Sequence, residues 1–272
     1  MTFSFADAAA GLYGLARMTI TDAGHGHALA VLFADGEPVA TLASDEIPLD
    51  SGADFARLAL PGLEATIEDP LHRWTVRCDD GEHGFALTFD AAGPPAELEP
   101  GEPAARAGGL AGYEQLCHVH GSVHIGTRTH EVRSLGQRGH TWGVPDWEHT
   151  DAVRVLAAWI DDGTGVVLRA VRPAGAGAHG DEARWAAVLG AAGNLRVDEP
   201  RLSTTYDGEG HPRRAGLELW VGHDDDMPRR AVGEVLCEST VALGRLRLDL
   251  SFVRWRMAGR SGIGRYDVLR RA

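Results

Sequence analysis

Lysine is absent from this chain of 272 residues, and apart from histidine every basic side chain is an arginine. A Schiff-base lysine and the lysine of a phosphate-binding P-loop are therefore both excluded. The three cysteines, Cys78, Cys117 and Cys237, lie far apart and form no Cys-x-x-Cys motif. They indicate small buried hydrophobic residues in a reducing compartment rather than a disulfide framework.

The sequence also lacks a long apolar run and a basic, apolar leader at its start. We therefore expect a cytoplasmic protein with no membrane insertion. The formal net charge of −13 argues against nucleic acids and anionic membranes as partners, because both bind basic surfaces. Hydrophobic residues make up 44% of the chain, which is enough for a sizeable core. A homodimer is compatible with this composition.

Asp-Gly pairs divide the sequence, and each is flanked by apolar or alternating residues. The pairs are Asp35-Gly36, Asp80-Gly81, Asp162-Gly163 and Asp207-Gly208. This pattern is a strong signal for β-hairpins, and no stretch keeps a helical period for long. The order of strand, acidic glycine turn and strand occurs in both halves of the chain. Many short strands in two similar halves predict two antiparallel β-barrels or sandwiches.

The segment Gly136–Glu148 gathers an arginine, a histidine, two tryptophans and two carboxylates in thirteen residues. Three glycines and a proline interrupt it, so it cannot be an ordinary helix or strand interior. Aromatic and ionisable side chains gathered on an irregular backbone favour a functional loop that is held in place by the rest of the fold. The competing interpretation is a packing corner filled by the tryptophans.

A second candidate site is a predicted strand over residues 117–124, which places His118, His120 and His124 on one face. Histidine is the commonest metal ligand, and a His-x-His step is typical of cupin-like metal sites. The glutamate expected shortly afterwards is missing, and the opposite face is the apolar one, so the histidines could equally face solvent. No Gly-x-Ser-x-Gly elbow and no nucleotide-binding loop in a βαβ context accompanies them.

Acid–base chemistry in an apolar pocket is the third possibility. Glu114 and the Arg138 to Glu148 segment flank one predicted hairpin, which could bring Glu114 near Arg138 or His140. Histidine can act as acid or base at neutral pH, and a carboxyl group among aromatic rings has a raised pKa. An ion pair between Arg138 and Glu114 that merely ties strands together is an equally good interpretation.

These residues resemble the tandem lipocalin-like superfamily related to carotenoid 1,2-hydratase (hydroxyneurosporene synthase), which includes prenyl-compound hydratases and polyketide pericyclic cyclases. The similarity covers residues 112–171 and the C-terminal end. It is carried by Tyr113-Glu114-Gln115, a hairpin turning at Gly126, the run Arg138-x-His140-x-Trp142-Gly143-x-x-x-Trp147, and Arg254-x-Arg256 with Gly259-Arg260-x-Gly262-x-Gly264-x-x-Asp267. In one departure, Gly139 occupies the position directly before the motif histidine, where the family usually has aspartate.

The resemblance implies an all-β fold of two lipocalin-like antiparallel β-barrel or sandwich halves packed together. We expect an N-terminal half over residues 1–135, which contains a long loop over 91–112, and a C-terminal half over 136–272. It further implies an apolar cavity, no cofactor and no bound metal.

The leading functional hypothesis is a metal-free lyase or isomerase that acts on a hydrophobic terpenoid, polyene or polyketide-like molecule by hydration, dehydration or cyclisation. His140 is the expected acid or base, Glu114 and Arg138 would orient it, and Asp146 is the reserve proton donor. The expected substrate-binding residues are Tyr113, Trp142, Trp147, Trp159 and Trp255. Two alternatives remain, a non-catalytic carrier of a lipophilic ligand and a metal-dependent β-barrel enzyme using His118, His120 and His124.

Overall fold

The computed structural model describes residues 1–161, 163–177, 179–222 and 227–272, and over these residues the chain is almost entirely antiparallel sheet. The predicted all-β fold class is confirmed. Two compact units form, the first comprising Met1–Ala92 with Gln115–Gly139 and the second Gly93–Glu114 with His140–Ala272. The predicted halves 1–135 and 136–272 stay a prediction about the organisation of the chain.

The first sheet, as far as it is described, orders its strands β4-β3-β2-β1-β11-β10-β8-β7-β6-β5, with β9 paired to β10. Its strands are β1 (Thr2–Asp7), β2 (Leu12–Ile20), β3 (His25–Ala34), β4 (Glu37–Pro48), β5 (Arg57–Leu60), β6 (Leu63–Asp69), β7 (Arg73–Asp79), β8 (His83–Ala91), β9 (Ala96–Leu98), β10 (Leu110–Ile125) and β11 (Arg128–Gly143). The Leu42 side chain in β4 reaches Gly62, directly before β6. The two ends of the first sheet therefore curl towards each other.

The second sheet, over the described ranges, has the order β15-β14-β13-β12-β20-β19-β18-β17-β16. Its strands are β12 (Thr150–Asp161), β13 (Thr164–Pro173), β14 (Ala183–Leu189), β15 (Leu195–Arg196), β16 (Glu199–Tyr206), β17 (Pro212–Trp220), β18 (Arg229–Leu243), β19 (Leu246–Met257) and β20 (Arg260–Arg271). The Val197 amide donates to the Ala186 carbonyl at 3.1 Å, which draws β14 and the segment before β16 together. A single 3-10 turn spans His179–Asp181.

The Asp-Gly turns form where the sequence predicts them. Asp35 and Gly36 both have positive φ, 52° and 88°, as a two-residue type I′ hairpin requires, and they join β3 to β4. Asp80-Gly81 joins β7 to β8, and Asp207-Gly208 joins β16 to β17. Asp162 of the remaining pair lies outside the described residues.

The predicted loop over 91–112 is wrong in part, because it contains β9 and a short helix, α1 (Pro103–Gly108). Pro103 starts the helix, where its missing N–H costs nothing, and Gly109 ends it with φ 65°. Ala104 and Ala105 are buried. The small residues that suggested a loop are the ones that let this helix pack closely.

Each unit has its own apolar core, formed by alternate residues of its strands. In the first unit aromatic rings dominate, and the Phe3 ring lies 5.6 Å from Trp74 and 5.3 Å from Phe89. In the second unit the core includes Leu156, Ala158, Leu217, Trp255 and Tyr266. Each sheet therefore encloses side chains on its concave face.

Candidate functional site

Three of the predicted site residues form one aromatic cluster in the second unit. The His140 ring lies 5.6 Å from the Trp142 ring at 82° and 6.2 Å from the Tyr113 ring at 73°, and Tyr113 lies 6.5 Å from Trp142. These edge-to-face geometries are favourable for aromatic pairs. His140 and Trp142 alternate on β11, and Tyr113 comes from the neighbouring β10. The expectation of an irregular backbone is therefore wrong for residues 136–143, which are strand. The structure thus joins the predicted histidine to two of its predicted aromatic neighbours.

Gly112 is needed for this arrangement. A Cβ at this position would lie 2.4 Å from the His140 carbonyl oxygen, closer than real contacts allow. The glycine therefore lets β10 approach β11 directly beside Tyr113 and His140. Trp142 keeps 51% of its surface exposed, so the cluster is open on one side.

Arg138 is placed in the first unit, among residues of its core. It is almost fully buried, its guanidinium lies 5.0 Å from the centre of the Trp74 ring, and it donates to the side-chain oxygen of Gln115. Gln115 in turn donates to the Leu71 carbonyl at 3.1 Å. A cation stacked on an indole and held by an amide suits a structural role in the aromatic core.

Cys117 lies beside this group, and its thiol is 3.5 Å from the Gln115 carbonyl oxygen. Burial raises the pKa of the Cys117 thiol to about 12, although Arg138 acts in the opposite direction. The thiol is therefore protonated at neutral pH and a poor nucleophile. This agrees with the expectation that the cysteines are core residues.

Glu114 pairs with an arginine of the second sheet. Its carboxylate lies 3.8 Å from the Arg169 guanidinium of β13, and both side chains are about nine-tenths buried. Because neighbouring residues of a strand face opposite sides, Glu114 projects away from the face that carries Tyr113. The structure therefore brings Tyr113 and His140 together and pairs Glu114 with Arg169.

Asp146 lies in the exposed segment after β11, where its carboxylate accepts a 2.8 Å hydrogen bond from the His149 ring. That side-chain hydrogen bond, with backbone N–H donors from His149 and Glu148, lowers the pKa of Asp146. A carboxyl group with a lowered pKa is ionised at neutral pH, which makes it a weak proton donor. Trp147, next to it, is partly buried.

The last two predicted binding residues lie on opposite sides of the second sheet. Trp255 is fully buried in the core of the second unit. Trp159 is also buried, but it alternates with Ala158 and Ile160, which face that core. The two indoles therefore do not line one cavity.

The histidines of β10 are exposed or partly exposed. The His120 ring lies 3.8 Å from the Asp90 carboxylate, and the His124 ring lies 3.8 Å from that of Asp79. No group of three potential metal ligands occurs in the described ranges. The metal-site hypothesis for His118, His120 and His124 thus finds no ligand geometry in this part of the chain.

Sequence reasoning missed a polar group inside the second barrel. Arg154 is 3% exposed and binds the Glu182 carboxylate, and its guanidinium donates to the Thr204 hydroxyl at 3.2 Å and to the Tyr266 hydroxyl at 3.3 Å. The two hydroxyl groups lie 2.7 Å apart. Burial raises the pKa of Tyr266 to about 12, so the phenol is protonated at neutral pH. The sequence offered one indication of this group, because Arg154 is the arginine among the otherwise apolar core-facing positions of β12.

Two pockets belong to the second unit. The larger, about 610 Å³, is lined largely by glycine and aliphatic residues with Arg229, Arg230 and Arg260 at its edge. The smaller, about 450 Å³, is lined by Arg154 and Glu182, among others. We consider the smaller pocket the more informative, because the buried polar side chains converge there.

Comparison with known proteins identifies a family over the full length. A family described as a domain of unknown function, DUF7064, matches residues 1–272. The chain belongs to the DUF7064 family. No curated protein matches its sequence.

Solved structures share the fold of this family member at low identity. An AttH-like protein from Nitrosomonas europaea is 13% identical with a TM-score of 0.68, and the alignment covers 98% of this chain and 90% of that one. CghA is 11% identical with a TM-score of 0.66, and the alignment covers 100% of this chain and 88% of that one. At this identity the two structures establish the fold alone. None of the described helices is both long and apolar enough to span a bilayer.

Proposed function

We propose that this chain is a metal-free lyase or isomerase that hydrates, dehydrates or cyclises a hydrophobic terpenoid, polyene or polyketide-like molecule. The observation that carries the proposal is the imidazole of His140, which lies edge-on to both the Tyr113 and the Trp142 rings in a partly open cluster. A titratable group beside apolar rings can transfer protons to a hydrocarbon that water would not dissolve.

In the proposed reaction the substrate stacks against Trp142 and Tyr113, which exclude water from its unsaturated carbons. The imidazolium of His140 donates a proton to one alkene carbon, and the cation that forms on the next carbon is stabilised by the aromatic faces. Hydration follows when water adds to the cation and gives one proton back to the neutral imidazole of His140, whereas isomerisation follows when a neighbouring C–H gives its proton to that imidazole instead. Glu114 and Arg138, which the sequence analysis expects to orient His140, are each fixed by a buried partner, Arg169 and Gln115 respectively.

The test uses a hexane extract of the host's own cells, incubated with the protein in D₂O and analysed by mass spectrometry. A hydratase or isomerase produces compounds that carry deuterium, with or without the mass of water gained or lost. His140→Gln should reduce that conversion about 100-fold or more, because general acid–base catalysis contributes at least this much. His149→Gln, an exposed histidine a few residues away, is the matched control and should keep full activity. Equal conversion by the wild type and His140→Gln would refute the role of His140.

A non-catalytic carrier is the second candidate. Trp142 and Val144 are 51% and 80% exposed, so apolar side chains lie open to solvent beside the cluster. Such a surface can bind a lipophilic molecule without converting it. Extract components that co-purify with the protein and return unchanged, free of deuterium, would favour the carrier over the enzyme.

A further inference from the structure

Three arginines meet at one end of the second barrel, in the pocket of about 450 Å³. Ala152 of β12 pairs with Arg172 of β13 on one side and with Arg270 of β20 on the other. Arg154 lies two residues further along β12 and so faces the same side. Ala152 and all three arginines line the pocket.

Arg154 is only partly satisfied by its protein partners. Within the described ranges three of its five N–H bonds find acceptors, on Glu182, Thr204 and Tyr266. Its Nε–H is buried without an acceptor. Buried donors normally have partners, so this deficit indicates an acceptor that the described protein atoms do not supply.

Arg172 has even fewer partners. Its guanidinium donates one hydrogen bond, at 2.9 Å, to the Ala176 carbonyl, and its Nε–H is also buried with no acceptor in the described part of the chain. No carboxylate pairs with it there. Arg172 is therefore the cation at this pocket whose charge no carboxylate of the described residues compensates.

Tyr266 and Thr204 hold Arg154 in place beside the pocket. Both oxygens accept from Arg154, and the hydrogen bond between them uses one of the two hydroxyl hydrogens. The other hydroxyl hydrogen has no protein acceptor among the residues described.

The remaining charges at the pocket are largely paired. Arg270 binds the Asp249 carboxylate at 2.8 Å, Asp151 binds Arg271 at 3.1 Å, and Glu182 is held by Arg154. The uncompensated charge is therefore positive, in a chain whose net charge is −13. Guanidinium groups that converge with free N–H donors are suited to a carboxylate or phosphate.

We propose that this pocket binds the anionic group, a carboxylate or a phosphate, of a small organic molecule. Arg172 provides the principal charge, Arg154 provides hydrogen-bond donors, and Tyr206 lines the wall. This site is separate in its residues from the His140 cluster and does not depend on the function proposed for it.

The experiment is an isothermal titration of the whole chain with three probes of equal chain length, hexanoate, hexyl phosphate and hexan-1-ol, at low ionic strength. We expect at least one of the two anions to bind about tenfold or more tightly than the alcohol, because only an anion makes charge-assisted hydrogen bonds to the arginines. Preference for hexanoate assigns a carboxylate ligand, and preference for hexyl phosphate assigns a phosphate.

Arg172→Gln should weaken the better anion about tenfold or more, because it removes the uncompensated charge. The control is Arg214→Gln, which makes the same charge change on an exposed arginine of β17 and should alter affinity by no more than about twofold. Equal binding of the alcohol, failure of both anions to bind, or unchanged affinity in Arg172→Gln would each overturn the proposal. If the variant fails to fold, the comparison of the three probes on the unmodified chain still tests whether the pocket prefers an anion.

Discussion

At the scale of single residues, the buried ion pair of Arg154 and Glu182 is the contact whose disruption should lower the stability strongly. Their side chains are 4% and 2% exposed. Glu182→Gln keeps the shape but removes the charge, which leaves the Arg154 guanidinium buried without its counter-ion. We expect the free energy of unfolding to fall by about 3–5 kcal/mol, as for other buried pairs that lose one member. Urea denaturation followed by circular dichroism measures this change.

The matched control is Glu234→Gln, which breaks the exposed pair with Arg214 on β17 and β18. An exposed pair of this kind contributes at most about 1 kcal/mol. The double variant Glu182→Gln with Arg154→Met should recover part of the lost stability, because no charge is then left buried. If the two single glutamine variants lost equal stability, the pair in the barrel would be no more important than one at the surface.

The sequence predicted some of these residues and not others, for physical reasons. The Tyr113, His140 and Trp142 cluster could be predicted, because a short segment rich in aromatic and ionisable side chains indicates a site. The sequence analysis placed Glu114 and Tyr113 at one site, although residues one apart on a strand face opposite sides. The Arg154–Glu182 pair could not be predicted, because Arg154 lies on β12 whereas Glu182 lies in the segment directly before β14, and only the tertiary fold brings them together.

At the scale of elements, the C-terminal run Gly262-x-Gly264 has a definite packing role. A Cβ on Gly264 would lie 1.9 Å from the Ala157 carbonyl oxygen, and one on Gly262 would lie 1.9 Å from that of Trp159. Both backbone oxygens belong to β12, the neighbour of β20. The glycines therefore allow two central strands to approach closely, which explains why they stand out in the sequence.

Gly264→Ala should accordingly separate β20 from β12 or prevent folding. We expect a loss of several kcal/mol, of the order seen when a packed core is forced to accept extra atoms. The readout is the midpoint of thermal unfolding together with the yield of soluble protein. Gly101→Ala is the control, because a Cβ there meets no atom within 4 Å. Similar midpoints for both variants would contradict the packing role.

At the scale of the whole molecule, the Asp-Gly hairpins and alternating strands were sufficient to predict an all-β chain with two barrels. The assignment of residues 93–114 to the second compact unit was not predictable. It depends on contacts such as that between Gly108 and Val171 of β13, which are distant in sequence. Local propensity carries no information about such contacts.

The acidic hairpin turns also make the stability of the whole chain depend on pH. In the turn between β16 and β17, the Asp207 carboxylate accepts backbone hydrogen bonds from His211 and Glu209, and side-chain hydrogen bonds from Arg213. The His211 bond is the largest of the influences that lower the pKa of Asp207 from 3.8 to about 2. A carboxyl group with a lowered pKa in the folded state stabilises the fold above its unfolded value, and this stabilisation is lost as the pH falls towards the folded value.

Asp207→Asn should therefore flatten the pH dependence between about pH 4 and about pH 2, since the amide keeps the acceptor oxygen but cannot titrate. The variant should be less stable than the wild type above about pH 4, and the difference should shrink as the carboxylate of the wild type is protonated. The urea unfolding midpoint of each protein, measured across this pH range, gives its curve of stability against pH. Curves that stay parallel down to the lowest pH would mean that Asp207 binds its proton equally well in the folded and unfolded chains.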